Sequence, residues 1–361
     1  HALGAREMVS ASQISEEEQI EDDASSEEGS TEDASPGVLI TTITSELSVH
    51  FTELKDLVML IQGNLENNAV SAEEIDHVIF GNAQQTATDA IYLARHIGLR
   101  AGVPVPVPAL TVNRICGSGF QSIISGAELL LLGEATTVLA GGTESMSQAP
   151  HVIRGARWGF SLGQGQLEDT LWATLTDSFC DLSMALTAEN LAARYGISRD
   201  QADEFAHQSQ MKTRAAQEQG RLREEIVPVE SDGCGVLDGD EHPRPNTTME
   251  GLAALRPVFK KDGIVTAGNA SGISDGAAAL VMARESVAKN KGLPIRARIM
   301  GHASHAQEPG LFTTAPVPAA EKLLARLGWS KEDVDLWEVN EAFAVVPMAF
   351  MREMGISRDK V

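Results

Sequence analysis

Cys116 is the residue whose setting most invites chemistry. Residues 109–115 form an apolar run rich in β-branched side chains, Gly117-Ser118-Gly119 follows the cysteine, and residues 121–132 are apolar on nearly every face. The first run suits a strand and the last a buried helix. The spacing therefore places Cys116 where a strand ends and a helix begins. Unpaired N–H groups and the positive end of the helix dipole favour a thiolate at such a position. Gly117 and Gly119 have no side chains, which leaves room for an incoming carbonyl group. Residues of this kind present a nucleophilic cysteine. The plainer alternative is a small buried hydrophobe, the common fate of a free cysteine.

The surrounding elements read as an α/β chain. Residues 38–49 are β-branched and suit a strand, and residues 51–65 suit a helix with Leu54, Leu57, Val58 and Ile61 on one face. Ser71 and Glu74 have capping-box spacing. Residues 77–80 form a strand, and residues 88–99 a helix with Ile91, Leu93, Ala94 and Ile97 on its apolar side. Residues 137–142 follow the Cys116 helix as another buried strand. Strand, helix and strand in about 35 residues make a βαβ unit and imply a parallel or mixed sheet. The Gly141-Gly142-Thr143-Glu144 loop lies at a strand end, where α/β proteins place functional groups.

From 147 to about 270 the elements shorten and the loops lengthen. Residues 187–195 read as a helix, and residues 198–223 as one long amphipathic helix opened by Ser198 and Gln201. Residues 265–282 are unusually rich in small side chains, so their backbone can approach a ligand or another segment closely. Residues 277–283 then form a buried strand. Residues 335–339 read as a strand that ends at Asn340, and Pro347 suits the first turn of the next helix.

Composition excludes several functions. The net charge is −23, of which −10 falls in residues 1–37. That acidic stretch, rich in Ser, Glu and Asp, is expected to be disordered. An acidic surface argues against nucleic-acid binding. No apolar run approaches the ~20 residues that cross a bilayer. The three cysteines, Cys116, Cys180 and Cys234, form no disulfide framework or Cys-x-x-Cys metal pair, which favours a reducing compartment. Cys180 and Cys234 read as structural. His302 and His305 lack the Glu of a helical zinc motif, so no metal is expected.

Four segments together resemble the thiolase family: Asn113-Arg-Ile-Cys-Gly-Ser-Gly-Phe-Gln-Ser122, Ala140-Gly-Gly-Thr-Glu-Ser-Met-Ser147, Thr266-Ala-Gly-Asn-Ala-Ser-Gly272 and Val339-Asn-Glu-Ala-Phe-Ala344. The similarity is greatest to 3-ketoacyl-CoA thiolases of fatty-acid β-oxidation, of the animal mitochondrial type. It implies an α/β fold layered α/β/α/β/α, with mixed sheets in two similar halves and an inserted loop lobe. On this resemblance residues 1–37 are a tail, 38–146 the half carrying the nucleophile, 147–272 a lobe that binds coenzyme A, and 273–361 a truncated second half.

The resemblance also implies acyl transfer by a ping-pong route through an acyl-Cys116 thioester. Asn340 would position a water at an oxyanion site, with the backbone N–H of Cys116 helping at another. Ser271 would meet the pantetheine arm of CoA, Arg244 and Thr247 its nucleotide end, and Met184 would line the acyl channel. The implied partners are acyl-CoA and CoA as substrates and a second copy or three further copies of the chain, with no permanent cofactor. The implied compartment is the mitochondrial matrix.

Three departures stand out. Residues 1–50 do not match the family's opening strand, Gly272-Ile-Ser-Asp275 replaces the usual Gly-Ile-Asn-Asp, and no Gly-His-Pro or Cys-x-Gly segment occurs in the 361 residues. In the family those two segments supply the base for the nucleophile and the cysteine that shuttles the substrate proton. Their absence leads to the expectation of impaired turnover, since acid–base help is typically worth about 10²–10⁴ in rate. The alternative is an inactive CoA-binding or subunit-partner protein that keeps the fold without the chemistry. A condensing enzyme with another donor is a third reading.

Overall fold

The computed structural model describes residues 70–223, 225–231 and 235–361, with residues 62, 63 and 65 and the strand at 38–45, where the backbone alone is described, as it is at Ser231. The acidic stretch 1–37, most of the expected helix at 51–65, and Cys234 lie outside the described residues.

Six strands form one mixed sheet: β1 (Val38–Ser45), β2 (His77–Gly81), β3 (Ala109–Val112), β4 (Thr137–Ser145), and, far along the chain, β11 (Asp275–Arg284) and β12 (Ala297–Ile299). Their order is β12-β1-β11-β4-β2-β3. The central strand β4 runs parallel to β2, with His77 opposite Val138, and antiparallel to β11, with Asp275 opposite Ser145. Between β4 and β11 come three two-stranded ribbons, β5–β6 (His151–Ile153, Leu167–Asp169), β7–β8 (Thr176–Asp177, Leu182–Ser183) and β9–β10 (Val229–Ser231, Gly235–Leu237).

Strand alternation builds both faces of the sheet. Val78, Phe80, Leu139, Ala279 and Val281 point one way, onto Leu93, Ala94 and Ile97 of helix α1 (Leu93–Arg100). Ile79, Val138, Ala140, Leu280 and Met282 point the other way, onto Ala127 and Leu130 of helix α2 (Ser118–Leu132). Burial on both sides explains why these strands read as nearly continuous apolar runs. Each fully buried side chain of this size contributes roughly 1.5–3 kcal/mol of burial free energy.

Helix α2 departs from the expectation of a helix buried all round. Its buried face is Ser118, Ser122, Gly126, Ala127 and Leu130, while Phe120, Leu131 and Leu132 are exposed. The buried stripe is made of small residues because the helix lies close on the sheet: an added Cβ at Gly126 would stand 3.1 Å from the Met282 sulfur. The 18-residue window Ile115–Leu132 is apolar and long enough to cross a membrane by length and composition, which the run lengths alone did not reveal. Its packing on β2 and β4 makes it a core helix of this fold.

A second cluster is helical. Helices α3 (Met184–Tyr195), α4 (Arg199–Glu218) and, after α5 (Pro316–Leu327), α6 (Val345–Met354) bring Ala188, Leu191, Phe205, Val345 and Ala349 together. Capping boxes form at Ser71–Glu74 and Ser198–Gln201 as expected. Helix α4 ends at Glu218 rather than 223, with turns following and Gly220 at φ +70°. Residues 88–99 form a 3₁₀ turn (Ala90–Tyr92) before α1, which leaves Ile91 exposed. The segment 335–339 is not a strand: no described strand pairs with it, and the Trp337 backbone N–H donates to the carbonyl of Lys360.

Asp76 registers β2 against β4. Its carboxylate accepts the N–H groups of Thr136 (2.7 Å) and Thr137 (3.0 Å) and the Thr136 hydroxyl, and its own N–H donates to the Thr137 carbonyl. Burial pushes this carboxyl up, but the Thr136 hydroxyl and the two N–H groups outweigh it and hold the pKa below the ordinary aspartate value. A carboxyl depressed on folding stabilises the native state above its unfolded pKa, and loses that effect as pH falls through the folded one. Asp76→Asn is therefore expected to cost about 1 kcal/mol at pH 7. The gap from wild type, read from urea unfolding midpoints, should close as the pH drops below about 4.

Candidate active site

Cys116 sits between β3 and α2, one residue before Gly117, the N-cap of the helix. It is exposed. The turn that presents it is strained, because Ile115, a β-branched residue, stands at φ +50°. Ser118 braces that turn: its hydroxyl donates to the Ile115 carbonyl at 2.6 Å and accepts the Arg114 N–H at 2.9 Å. Gly81, at the end of β2, makes the arrangement possible. A Cβ there would lie 2.4–2.7 Å from backbone atoms of Ser118 and Gly119. The helix start thus rests directly on the strand end.

Glu144, at the end of β4, lies close enough to act on the sulfur. Burial pushes the Cys116 thiol above its ordinary value, and the negative charge of Glu144 adds to this against an opposing backbone N–H. This reverses the direction expected from a helix start. The cysteine lies just outside the N-cap, and its protein surroundings and the carboxylate outweigh the dipole. Glu144 is itself raised, first by burial and then by Asp275, while the N–H groups of Ala83 and Gln84 pull it down. Asp275 accepts from the N–H of Ser147 at 2.9 Å and from the Ser147 hydroxyl at 2.5 Å. The residues 141–144, expected as a loop at a strand end, are the last part of β4 itself, and the electrostatic influence of Glu144 on the sulfur was not legible in the sequence.

Of the residues expected to contact CoA, Arg244, Thr247 and Ser271 lie on segments that touch one another, and Met184 lies apart from them on another element. Arg244 and Thr247 share one turn, in which the Thr247 hydroxyl donates to the Arg244 carbonyl at 2.7 Å. Arg244 is exposed, and its backbone N–H donates to Gln210 on α4. His242, two residues earlier, turns the Cε1 edge of its ring toward Gly272; a Cβ on that glycine would stand 2.2 Å from that atom. Ser271, beside it, donates both its N–H and its hydroxyl to the Ala342 carbonyl, each at 3.1 Å. Ala344 N–H donates to Asn269, closing a short bridge between the two segments. Asn340 is exposed just before this bridge. Met184 opens α3 and is half-buried, its N–H on the Leu175 carbonyl.

Two buried carboxylates hold the loop at 264–272, and neither was singled out from the sequence. Glu189 accepts the N–H groups of Ile264 and Val265, each at 2.8 Å. Asp203, 2% exposed, accepts the Asn269 amide at 2.8 Å and is paired with Arg199 at 2.6 Å. Among the described residues no group of three His, Cys, Asp or Glu side chains is arranged to hold a metal ion. Cys180 is half-buried and unpaired.

The thiolase N-terminal domain family matches residues 40–286, and the thiolase C-terminal domain family matches 293–361. The chain belongs to the thiolase family. Thiolases are acyltransferases. Among the relatives of this thiolase, human mitochondrial 3-ketoacyl-CoA thiolase is 49% identical over 300 residues, covering 82% of this chain and 76% of its own. The acetyl-CoA acetyltransferase of Allochromatium vinosum is 44% identical over 307 residues, covering 84% and 78%. The crystal structure of human mitochondrial 3-ketoacyl-CoA thiolase in complex with CoA superposes with a TM-score of 0.87 at 45% identity, over 90% of this chain and 84% of that one. The Bacillus anthracis acetyl-CoA acetyltransferase gives 0.86 at 40% identity, over 90% and 85%. The thiolase fold expected from the motifs is therefore the fold of this chain.

Removing the charge of Glu144 tests its hold on the sulfur. In Glu144→Gln the pH profile of Cys116 alkylation by iodoacetamide should move to lower pH, because a nearby negative charge no longer opposes the thiolate. An unmoved profile would show that burial alone sets the thiol.

Proposed function

We propose that this thiolase cleaves 3-ketoacyl-CoA thioesters with CoA, through an acyl group carried on Cys116. The observation that carries the reading is the cysteine, exposed as a residue with its thiol partly desolvated, on a strained strand–helix turn in the same fold as the Arg244–Ser271–Asn340 segments. The Cys116 thiolate attacks the 3-keto carbon. The C2–C3 bond breaks, and acetyl-CoA leaves once its C2 carbanion takes up a proton. The acyl-cysteine thioester is then attacked by the thiolate of a second CoA, which releases the shortened acyl-CoA and returns the cysteine. Sulfur suits both halves, since a thiolate is a strong nucleophile and a competent leaving group. Oxyanions at both stages need preorganised donors. Asn340, through a water, and the Cys116 N–H are assigned to that task.

In this reading Ser271 meets the pantetheine arm, Arg244 and Thr247 the nucleotide end, and Met184 the acyl channel. CoA enters as a substrate and no resident cofactor is needed. The division at 37, 146 and 272 is part of this proposal, although β11 and β12 beyond 272 share the six-stranded sheet with β1 and β4. In this reading the reaction belongs to fatty-acid β-oxidation in the mitochondrial matrix; the mitochondrial human relative supports the organelle. A homodimer, or a tetramer of such pairs, is supported by β3: it is an edge strand of the six-stranded sheet, with exposed Leu110 on it and exposed Ile91 and Tyr92 beside it.

A polypeptide of residues 1–361 contains no Gly-His-Pro or Cys-x-Gly segment, and its thiol is raised. Acylation without steady turnover is therefore expected of it. Incubation with acetoacetyl-CoA should give an acetyl adduct on Cys116 by mass spectrometry, absent in Cys116→Ala, while multiple turnover stays at least about 10²-fold below that of a complete thiolase. CoA binding by calorimetry without any adduct would favour the inactive CoA-binding protein. Turnover comparable to a complete thiolase would overturn the impairment.

A further inference from the structure

The left-handed Ile115, at φ +50°, lies directly before the sulfur, a conformation disfavoured for a β-branched residue. Such a conformation persists only where neighbours over-determine it. Asn113 makes two bonds that do so. Its Oδ1 accepts the Ile115 N–H at 2.9 Å, and its Nδ2 donates to the Ala83 carbonyl at 3.0 Å. The segment 82–84 that receives this second bond is itself fixed. Glu144 accepts the Ala83 N–H at 2.9 Å, the Gln84 N–H at 3.0 Å and the Asn82 amide at 3.1 Å. The Asn82 N–H donates to Val112 at the end of β3, also at 3.0 Å. Asn82 and Gln84 are both more than nine-tenths buried. The bonds form a closed circuit from β4 through a buried loop to the turn before the sulfur.

We propose that Asn113 is a positioning residue for acyl transfer, its amide tying the Ile115–Cys116 turn to the loop that Glu144 anchors and so fixing the direction in which the sulfur meets the thioester substrate. The proposal rests on the reading of Cys116 as the acyl-accepting nucleophile. A purely local turn would need only the bond from Ile115 N–H to Asn113 Oδ1. The circuit needs both arms. Aspartate at 113 separates the two cases, because it keeps the acceptor for Ile115 but sets an oxygen against the Ala83 carbonyl in place of a donor.

The experiment compares wild type, Asn113→Ala and Asn113→Asp in two reactions of Cys116. One is acylation by acetoacetyl-CoA, followed by mass spectrometry. The other is alkylation by iodoacetamide, a small reagent that needs no particular approach. Both rates are taken from full pH profiles at their high-pH plateaus, so that a changed thiol pKa drops out, and thermal unfolding is recorded for each variant. Both variants should acylate at least about tenfold more slowly while alkylating within about threefold of wild type. Acylation of Asn113→Asp at the wild-type rate would reduce Asn113 to a local turn and overturn the proposal. Equal losses in both reactions, or a collapse of thermal stability, would also overturn it in favour of a structural role. If wild type alkylates but forms no adduct, the nucleophile reading itself fails, an outcome distinct from the other two.

Discussion

Carboxylates that accept backbone N–H groups hold the loops on which this site depends. Glu144 gathers the loop at 82–84, Glu189 the start of the small-residue loop at 264–265, and Asp275 the turn at Ser147. Asp203 reaches the same small-residue loop through the Asn269 amide. The reason lies in the loops themselves. Segments such as 82–84 and 264–265 lie outside strands and helices, so these backbone N–H groups need an acceptor from elsewhere. A charged acceptor makes a shorter and stronger bond than a neutral one, and one carboxylate satisfies two or three donors at once. Such loops can then be rigid without bulk, which leaves their outer faces open to a ligand.

This device has an electrostatic cost at Cys116. The same Glu144 that fixes the loop at 82–84 places a negative charge where it disfavours the thiolate. The carboxyl is itself raised, first by burial and then by Asp275. Positional order and thiol acidity therefore oppose each other around one side chain. A nucleophile in such surroundings depends on a base to remove its proton at the moment of attack, more than on a standing population of thiolate. The general logic of nucleophile activation by a neighbouring base follows from that balance.

Much of this was legible in the residues. Strand alternation at 77–80 and 137–142, the serine caps at 71 and 198, and the cysteine at a strand–helix junction all have local causes, and all stand in the structure. What escaped the sequence depends on distant partners. The apolar residues at 336, 337 and 339 suit a strand as those of β2 do, but a strand exists only where another strand pairs with it. Helix α2 is apolar all round, yet only its small residues face inward, because the distance to the sheet decides which stripe is buried. The thiol shift reversed because the dipole argument is local, whereas burial and Glu144 come from the surrounding fold. The roles of Glu189 and Asp203 were invisible for the same reason, since each lies more than 60 residues from the loop it holds.

The placement of the sulfur follows from the way β2, β4 and α2 fit together. A helix can lie close on a sheet only where both surfaces are small, and here Ser118, Ser122, Gly126 and Ala127 meet strands that thin to glycine at Gly81. That closeness carries the helix start onto the C-terminal ends of the parallel strands β2 and β4. Every turn leading into the helix must then clear the strand ends in very few residues, and the left-handed Ile115 is how it does so. The strain is thus a consequence of close packing beneath the turn, and the exposed cysteine is a consequence of the strain. Because the packed surface is set by side chains on three elements, the direction of the nucleophile is a property of the sheet–helix layer rather than of the four residues around the cysteine.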